Sequence, residues 1–257
     1  MVGNETGYEG KFDFPQRAAS PEIPYLLASV PRAGSTHFSH LLWRTGCLGA
    51  PLEYLNFLPL SPYGFAATSI EVQQQLWRSA LRRRCSPNGV FGLKVFTAQL
   101  HKLDQENPAL LHDVMATMLP REGPRHIVYL RRRDKVAQAV SFTRAALSGV
   151  WRKEQEQSEQ APLHYSDDPV QAAEQEIAAQ EEVWARMFGD LRLEPLRVWH
   201  EDVLADPAAT IKQVANYLGV CIDPAAAVDI PAIEKQSEGD APAWMERYAA
   251  SRRSSSP

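Results

Sequence analysis

The stretch YLLASVPRAGSTHFSHLLWRTG, Tyr25 to Gly46, most constrains what this chain can fold into. Tyr25 to Val30 is a short apolar run of the length of a buried strand. Pro31-Arg32-Ala33-Gly34 follows as a turn. Ser35 and Thr36 then open a helical stretch with Leu41 and Leu42 inward, and Gly46 stands where a helix C-cap glycine is expected. Strand, glycine turn, hydroxyl pair and helix make an anion site. The first N–H groups of a helix lack internal partners, and the helix dipole adds partial positive charge there. Gly34 lets backbone approach a phosphate and Arg32 adds a full charge. A plain strand-to-helix turn with Ser35 or Thr36 as N-cap accounts for the same residues. The turn is not a Walker A loop, since Gly34 stands where that motif needs its Lys, and it is not GxGxxG.

Length and charge bound the rest. A chain of 257 residues allows about one or two domains. With 44% hydrophobic residues, 23% charged residues and a net charge of −4, it reads as a soluble globular protein with an ample core. The mildly acidic balance argues against non-specific nucleic-acid binding. Cys47, Cys85 and Cys221 form no metal-binding spacing, and an odd count argues against a disulfide framework, so a reducing, cytoplasmic setting is expected. No secretory signal is legible in Met1 to Ser20, and no apolar run approaches the ~18 residues of a membrane span.

Alternating strand and helix signals predict an α/β fold with a mostly parallel sheet. After the opening unit comes a loop, Leu48 to Tyr63, that carries Glu53 close to the anion site. Ile70 to Arg84 reads as a helix with Val72, Leu76, Trp77 and Leu81 inward, and Arg82 to Arg84 as its solvated, dipole-complementing end. Val90 to Phe96 is a strand. Lys94 within it needs a partner, a pocket mouth or a route to solvent. His101 to Leu119 is helical, split at Pro108. His126 to Leu130 is a strand, followed at once by Arg131-Arg132-Arg133 and by Asp134 as N-cap of a helix through Leu147 that carries Ser141. Arginines just past an inner strand lie at the edge where open α/β sheets bind ligands. Glu154 to Gln160 is a polar loop or lid. Val170 to Phe188 is an amphipathic helix. Leu196 to Trp199 is a strand. Asp206 and Pro207 begin a helix that runs to Leu218 and stops at Gly219. Ile230 to Tyr248 is loop plus short helix. Residues 1–20 read as a flexible or surface-lying arm, 21–250 as one domain and 251–257 as a disordered tail.

Several segments together resemble the bacterial carbohydrate sulfotransferases of the trehalose 2-sulfotransferase type. They are PRAGST (Pro31 to Thr36), RTGCLGAPLEYL (Arg44 to Leu55), GLK (Gly92 to Lys94), RRDKVAQAVSFTRA (Arg132 to Ala145), VWR (Val150 to Arg152), AQEEVW (Ala179 to Trp184) and EKQSEGDAPAWMERY (Glu234 to Tyr248). The resemblance implies a P-loop-like α/β sulfotransferase fold and the sulfuryl donor 3′-phosphoadenosine-5′-phosphosulfate (PAPS), with no metal. It implies that Arg32, Ala33, Gly34, Ser35 and Thr36 hold the 5′-phosphosulfate, that Arg132 and Ser141 take the 3′-phosphate, and that Glu53 is the catalytic base, with Arg32 acting on the transferring group. Pro31, Pro51, Leu52, Glu53, Tyr54, Asn56 and Lys94 fall on the acceptor side. That side departs from the family pattern. Pro31 replaces a glutamine, Leu52 another, Tyr54-Leu55 a Phe-Phe pair and Phe96-Thr97 a Met-Trp pair. The expected partner is a carbohydrate or other small-molecule acceptor, with a homodimer allowed and neither nucleic acid nor a membrane span expected. Two other classes stay open: a P-loop kinase-like phosphotransferase, which would need a Walker lysine and magnesium carboxylates, and a non-catalytic nucleotide-binding module.

Overall fold

Four parallel strands form the sheet: β1 (Ile23–Ser29), β2 (Val90–Phe96), β3 (His126–Arg131) and β4 (Leu196–Trp199), in the order β2-β1-β3-β4. The structure, a computed structural model, describes residues 5–57, 68–156, 162–231 and 239–254. Parts of the expected Leu48 to Tyr63 loop, the Glu154 to Gln160 loop and the segment after Ile230 lie outside the described residues.

The helices are α1 (Ser35–Arg44), α2 (Ile70–Arg83), α3 (Thr97–Glu106), α4 (Pro108–Met118), α5 (Lys135–Ser148), α6 (Asp167–Asp190), α7 (His200–Ala205), α8 (Pro207–Leu218) and α9 (Ala241–Ser254). The expected α/β class holds, and the bounds of β2 and β4 are as the apolar runs predict. Local chemistry explains the helix starts. The carboxylates of Asp134 and Asp206 accept the N–H groups of Ala137 and Ala209, and Pro108 and Pro207 follow their N-caps directly.

Both faces of the sheet are covered, so its strands are nearly continuously apolar. Alternation sends Tyr25 and Leu27 of β1 and Val128 and Leu130 of β3 into one core with Phe38 and Leu42 of α1. Leu26, Ala28, Ile127 and Tyr129 enter the other core with Trp184 and Phe188 of α6. Lys94 is in register with Leu27 and therefore stands on the α1 face. The strand order places β2 and β3 on opposite sides of β1. The ends of β1 and β3 thus form a topological switch point, where open α/β sheets bind ligands.

Four local expectations are corrected. Val72 is 39% exposed, because the inward stripe of α2 is Gln73, Trp77 and Ala80. Buried Gln73 accepts a hydrogen bond from Asn107 Nδ2. Arg84 is not solvated; it is 4% exposed and paired with Asp13 at 3.0 Å. Helix α3 starts at Thr97 rather than near His101, directly after β2, with Gln99 Oε1 accepting the Phe96 N–H. Helix α7 follows β4 without a loop and was not expected. At the ends, Phe14 is buried in the core and α9 continues through Ser254. Among the described residues no helix is long and apolar enough to cross a membrane.

Candidate active site

The turn after β1 is held in an unusual backbone conformation. Arg32 has φ 64° and Gly34 has φ 79°, both left-handed. For Gly34 this is inexpensive, and a side chain would also collide with the His200 ring. For Arg32 it costs about 1–2 kcal/mol. Its side chain is fixed in compensation: Nε donates to Ser141 Oγ at 2.8 Å and one terminal nitrogen donates to the Trp151 carbonyl at 2.9 Å. The left-handed Gly34 N-caps α1 without a side-chain cap bond, which leaves the first N–H groups of the helix to face whatever lies in front of the turn.

One of the three arginines at the end of the neighbouring strand β3 reaches this turn. Arg131 and Arg133 face away and pair with Glu181 and Asp202, at 2.7 Å and 2.6 Å. Arg132 turns inward and donates weakly to the Arg32 carbonyl at 3.5 Å, while its buried Nε has no hydrogen-bond partner among the described residues. Burial pulls the Arg32 guanidinium down to about 10, and the charges of Arg132 and Arg144 add to the effect. Such crowding of like charge in a poorly solvated place is unfavourable unless an anion joins it.

The second half of the site is a buried ion pair. Lys94, 1% exposed, donates to Glu53 Oε1 at 2.9 Å and to Thr36 Oγ1 at 3.1 Å. One ammonium therefore links the anion turn to Glu53. Burial, the largest influence, holds this lysine below its ordinary range, with Glu53 opposing the shift and Arg152 adding to it. Glu53 Oε2 accepts from Asn56 Nδ2 at 2.8 Å and from Gln99 Nε2 at 2.9 Å. A carboxylate has about four lone-pair positions. Among the described residues three are filled, and the one left is on Oε1.

The structure thus brings together Arg32, Gly34, Ser35, Thr36, Arg132 and Ser141 around the turn, and Glu53, Asn56 and Lys94 beside it. Ser141 sits on Arg32 rather than on Arg132. Ala33 is fully buried and contributes backbone only. The Pro31 carbonyl accepts from Gln138 Nε2 at 2.8 Å. Pro51, Leu52 and Tyr54, expected to face an acceptor, have their side chains inside the core. Pro51 packs against Gly92, Leu52 is bridged to Leu93, and the Tyr54 hydroxyl donates to the Ala50 carbonyl at 2.5 Å. Glu53 is buried as well, but its carboxylate turns to Lys94, Asn56 and Gln99.

Other residues at the site were not expected. Gln99 is one. His40 is another, four residues after Thr36 and on the same helix face; its Nδ1 lies 3.0 Å from the Thr36 carbonyl. Trp151 and Arg152 belong to the VWR segment, whose resemblance was a usable signal. Nothing in the sequence pointed to Gln99.

Comparison with known proteins follows the same geometry. Residues 24–251 match the Stf0 sulphotransferase family. The chain belongs to that family. The trehalose 2-sulfotransferase of Mycobacterium tuberculosis (strain ATCC 35801 / TMC 107 / Erdman) is 28% identical over 88% of this chain and 94% of its own. That of Mycolicibacterium smegmatis (strain ATCC 700084 / mc(2)155) is 28% identical over 87% of this chain and 93% of its own. Among solved structures, the sulfotransferase domain of the Synechococcus PCC 7002 olefin synthase is 17% identical, covers 92% of this chain and 98% of its own, and superposes with a TM-score of 0.46. The chain is a sulfotransferase.

Proposed function

We propose that this sulfotransferase moves the sulfuryl group of PAPS to a hydroxyl of a carbohydrate or glycosylated small molecule. One observation carries the reading. A buried lysine ties a glycine turn rich in free N–H groups and arginine to a caged glutamate that has one lone-pair position left. The donor fits these residues: the unpartnered Arg132 Nε and the crowded Arg32 guanidinium both call for an anion. The donor supplies an activated sulfuryl group and a leaving nucleotide.

The protein's part is positioning and electrostatics. The N–H groups at the start of α1, the Ser35 and Thr36 hydroxyls and Arg32 would hold the 5′-phosphosulfate. Arg132 would hold the 3′-phosphate, with Ser141 passing from Arg32 to share it. Glu53 would accept the proton of the acceptor hydroxyl on Oε1. Lys94 keeps that carboxylate in place and adds positive charge beside Thr36. A carbohydrate acceptor is supported by the substrate of the named relatives. A cytoplasmic setting is supported by the three unpaired cysteines.

Adenosine 3′,5′-bisphosphate should bind without magnesium. At about 100 times its dissociation constant it should stabilise the protein by about 2.7 kcal/mol. For a chain of this size that raises the melting temperature by about 5–10 °C. No shift, or one that requires magnesium or is matched by ATP–magnesium, would favour the kinase-like class instead.

A further inference from the structure

The segment Thr6 to Phe14, ahead of the region shared with the family, is tied into the site from several directions. It folds on itself: Glu9 Oε1 accepts from the Thr6 N–H and hydroxyl at 2.8 and 2.9 Å, and Oε2 accepts from the Gly7 N–H at 2.8 Å. Buried Arg84 holds it, donating to the carbonyls of Gly7 and Glu9 at 2.9 and 3.2 Å besides pairing with Asp13. Gly7, with φ 90°, lies so close to Trp43 that an added Cβ would stand 3.2 Å from its ring.

Two contacts reach the active site. Arg152 donates to the Thr6 carbonyl at 3.3 Å, next to the Trp151 carbonyl that holds Arg32. The Glu53 N–H donates to the Tyr8 hydroxyl at 2.8 Å, and the Tyr8 ring meets Tyr54 edge-on. These contacts form a circuit that starts and ends on the anion turn. It runs from Arg32 through Trp151-Arg152, Thr6, Tyr8, Glu53 and Lys94 to Thr36.

We propose that Thr6–Phe14 is a wall of the carbohydrate acceptor site and that Tyr8 is a positioning residue that holds the Glu53 main chain so that Oε1 meets the acceptor hydroxyl. The inference rests on the reading of Glu53 as the base. The physical reason is pairing. A buried N–H needs an acceptor, and Tyr8 Oη is the partner of this one. Without it the Glu53 backbone shifts to find another, and small misplacements of a reacting group cost rate steeply.

Tyr8→Phe in the full-length protein removes only the hydroxyl and keeps the ring against Tyr54. Turnover of PAPS would be followed with trehalose, maltose and methyl glucoside as acceptor probes. The expected result is a roughly tenfold fall in kcat on whichever probe is used, with affinity for adenosine 3′,5′-bisphosphate within about twofold. Hydrogen exchange needs no acceptor: the peptide containing the Glu53 amide should exchange faster in the variant while β1 stays protected. Unchanged protection or an unchanged kcat overturns the inference. So does an equal loss of nucleotide affinity and melting temperature, which would mark Tyr8 as packing alone. Glu53→Gln separates the two levels. If that variant is inactive and Tyr8→Phe is normal, this inference alone falls. If Glu53→Gln turns over normally, the reading of the base falls and takes this inference with it.

Discussion

The proposed donor side and the proposed acceptor side of this site are built in different ways. The proposed donor side is made of chain that follows two neighbouring strands, the turn after β1 and the stretch after β3 from Arg132 into α5. Its groups are largely backbone N–H donors and arginines, and the sheet topology alone brings them together. The acceptor side is assembled from distant places: Tyr8, Glu53 with Asn56, Lys94, Gln99 and Arg152. No single element positions it. The contrast teaches that one half follows from the order of the strands while the other does not. The turn after β1 is fixed by the fold, whereas the proposed acceptor wall depends on loops and an N-terminal segment outside the sheet. Lys94 is the joint, because it bonds to both halves.

The largest expected effect breaks the acceptor side and spares the donor side. Glu53→Gln should lower kcat by ~10²-fold or more, with nucleotide affinity within about threefold. The same change leaves the buried Lys94 ammonium without a counter-charge, which costs about 3–5 kcal/mol of stability. A stability loss therefore does not distinguish a base from a structural anchor. The double variant Glu53→Gln, Lys94→Met does: it should recover most of the melting temperature without recovering kcat. Near-normal turnover in either variant, measured well below its melting temperature, would remove Glu53 from the chemistry.

The next effect breaks the donor side alone. Arg132→Ala should weaken adenosine 3′,5′-bisphosphate by roughly ten- to a hundredfold, the value of a charge-assisted hydrogen bond. Adenosine 5′-phosphosulfate, which lacks the 3′-phosphate, should be nearly indifferent. Equal losses for both nucleotides, measured by calorimetry, would mean that Arg132 only supports the Arg32 carbonyl it touches.

The same division governs what could be read from the chain. The turn at Pro31–Thr36, the caps at Asp134 and Asp206 and the bounds of β2 and β4 are signalled by neighbouring residues, so they were legible. Lys94 was legible as a question, since a lysine inside an apolar strand must be answered by a partner, but the sequence did not say which. Arg84, Gln73 and Gln99 were misread or missed because each is polar, buried and satisfied by a residue far away in the chain. Local polarity marks such residues as surface. The helix α7 was missed because a four-residue strand runs into it with no turn residue between them. Pro51, Leu52 and Tyr54 fall on the acceptor side by resemblance alone, and what no local pattern signals is that Pro51 packs against Gly92, Leu52 bridges to Leu93 and the Tyr54 hydroxyl turns back to the Ala50 carbonyl.

The smallest expected effect tests the boundary between the two sides, at His40. Its Nδ1 lies against the Thr36 carbonyl on α1, and its buried Nε2 has no hydrogen-bond partner among the described residues and faces Gly7 of the N-terminal segment. Burial lowers its pKa from 6.5 to about 3, helped by the charges of Lys94, Arg152 and Arg44 and opposed only by the Thr36 carbonyl. The folded protein therefore keeps this imidazole neutral where the unfolded chain takes up a proton. Its contribution is intact above about pH 6.5 and is lost progressively as pH falls toward 3. Between pH 7.5 and 5.5 the loss amounts to about 1.4 kcal/mol, one pH unit of linkage below the unfolded value. That is about 3–6 °C in melting temperature. His40→Gln has no such linkage. The stability difference between wild type and variant should shrink by that amount over the interval, whatever its size at neutral pH, because the other titrating groups are common to both proteins. A constant difference would mean that water reaches His40, and that the N-terminal segment does not seal the joint between the donor and acceptor sides.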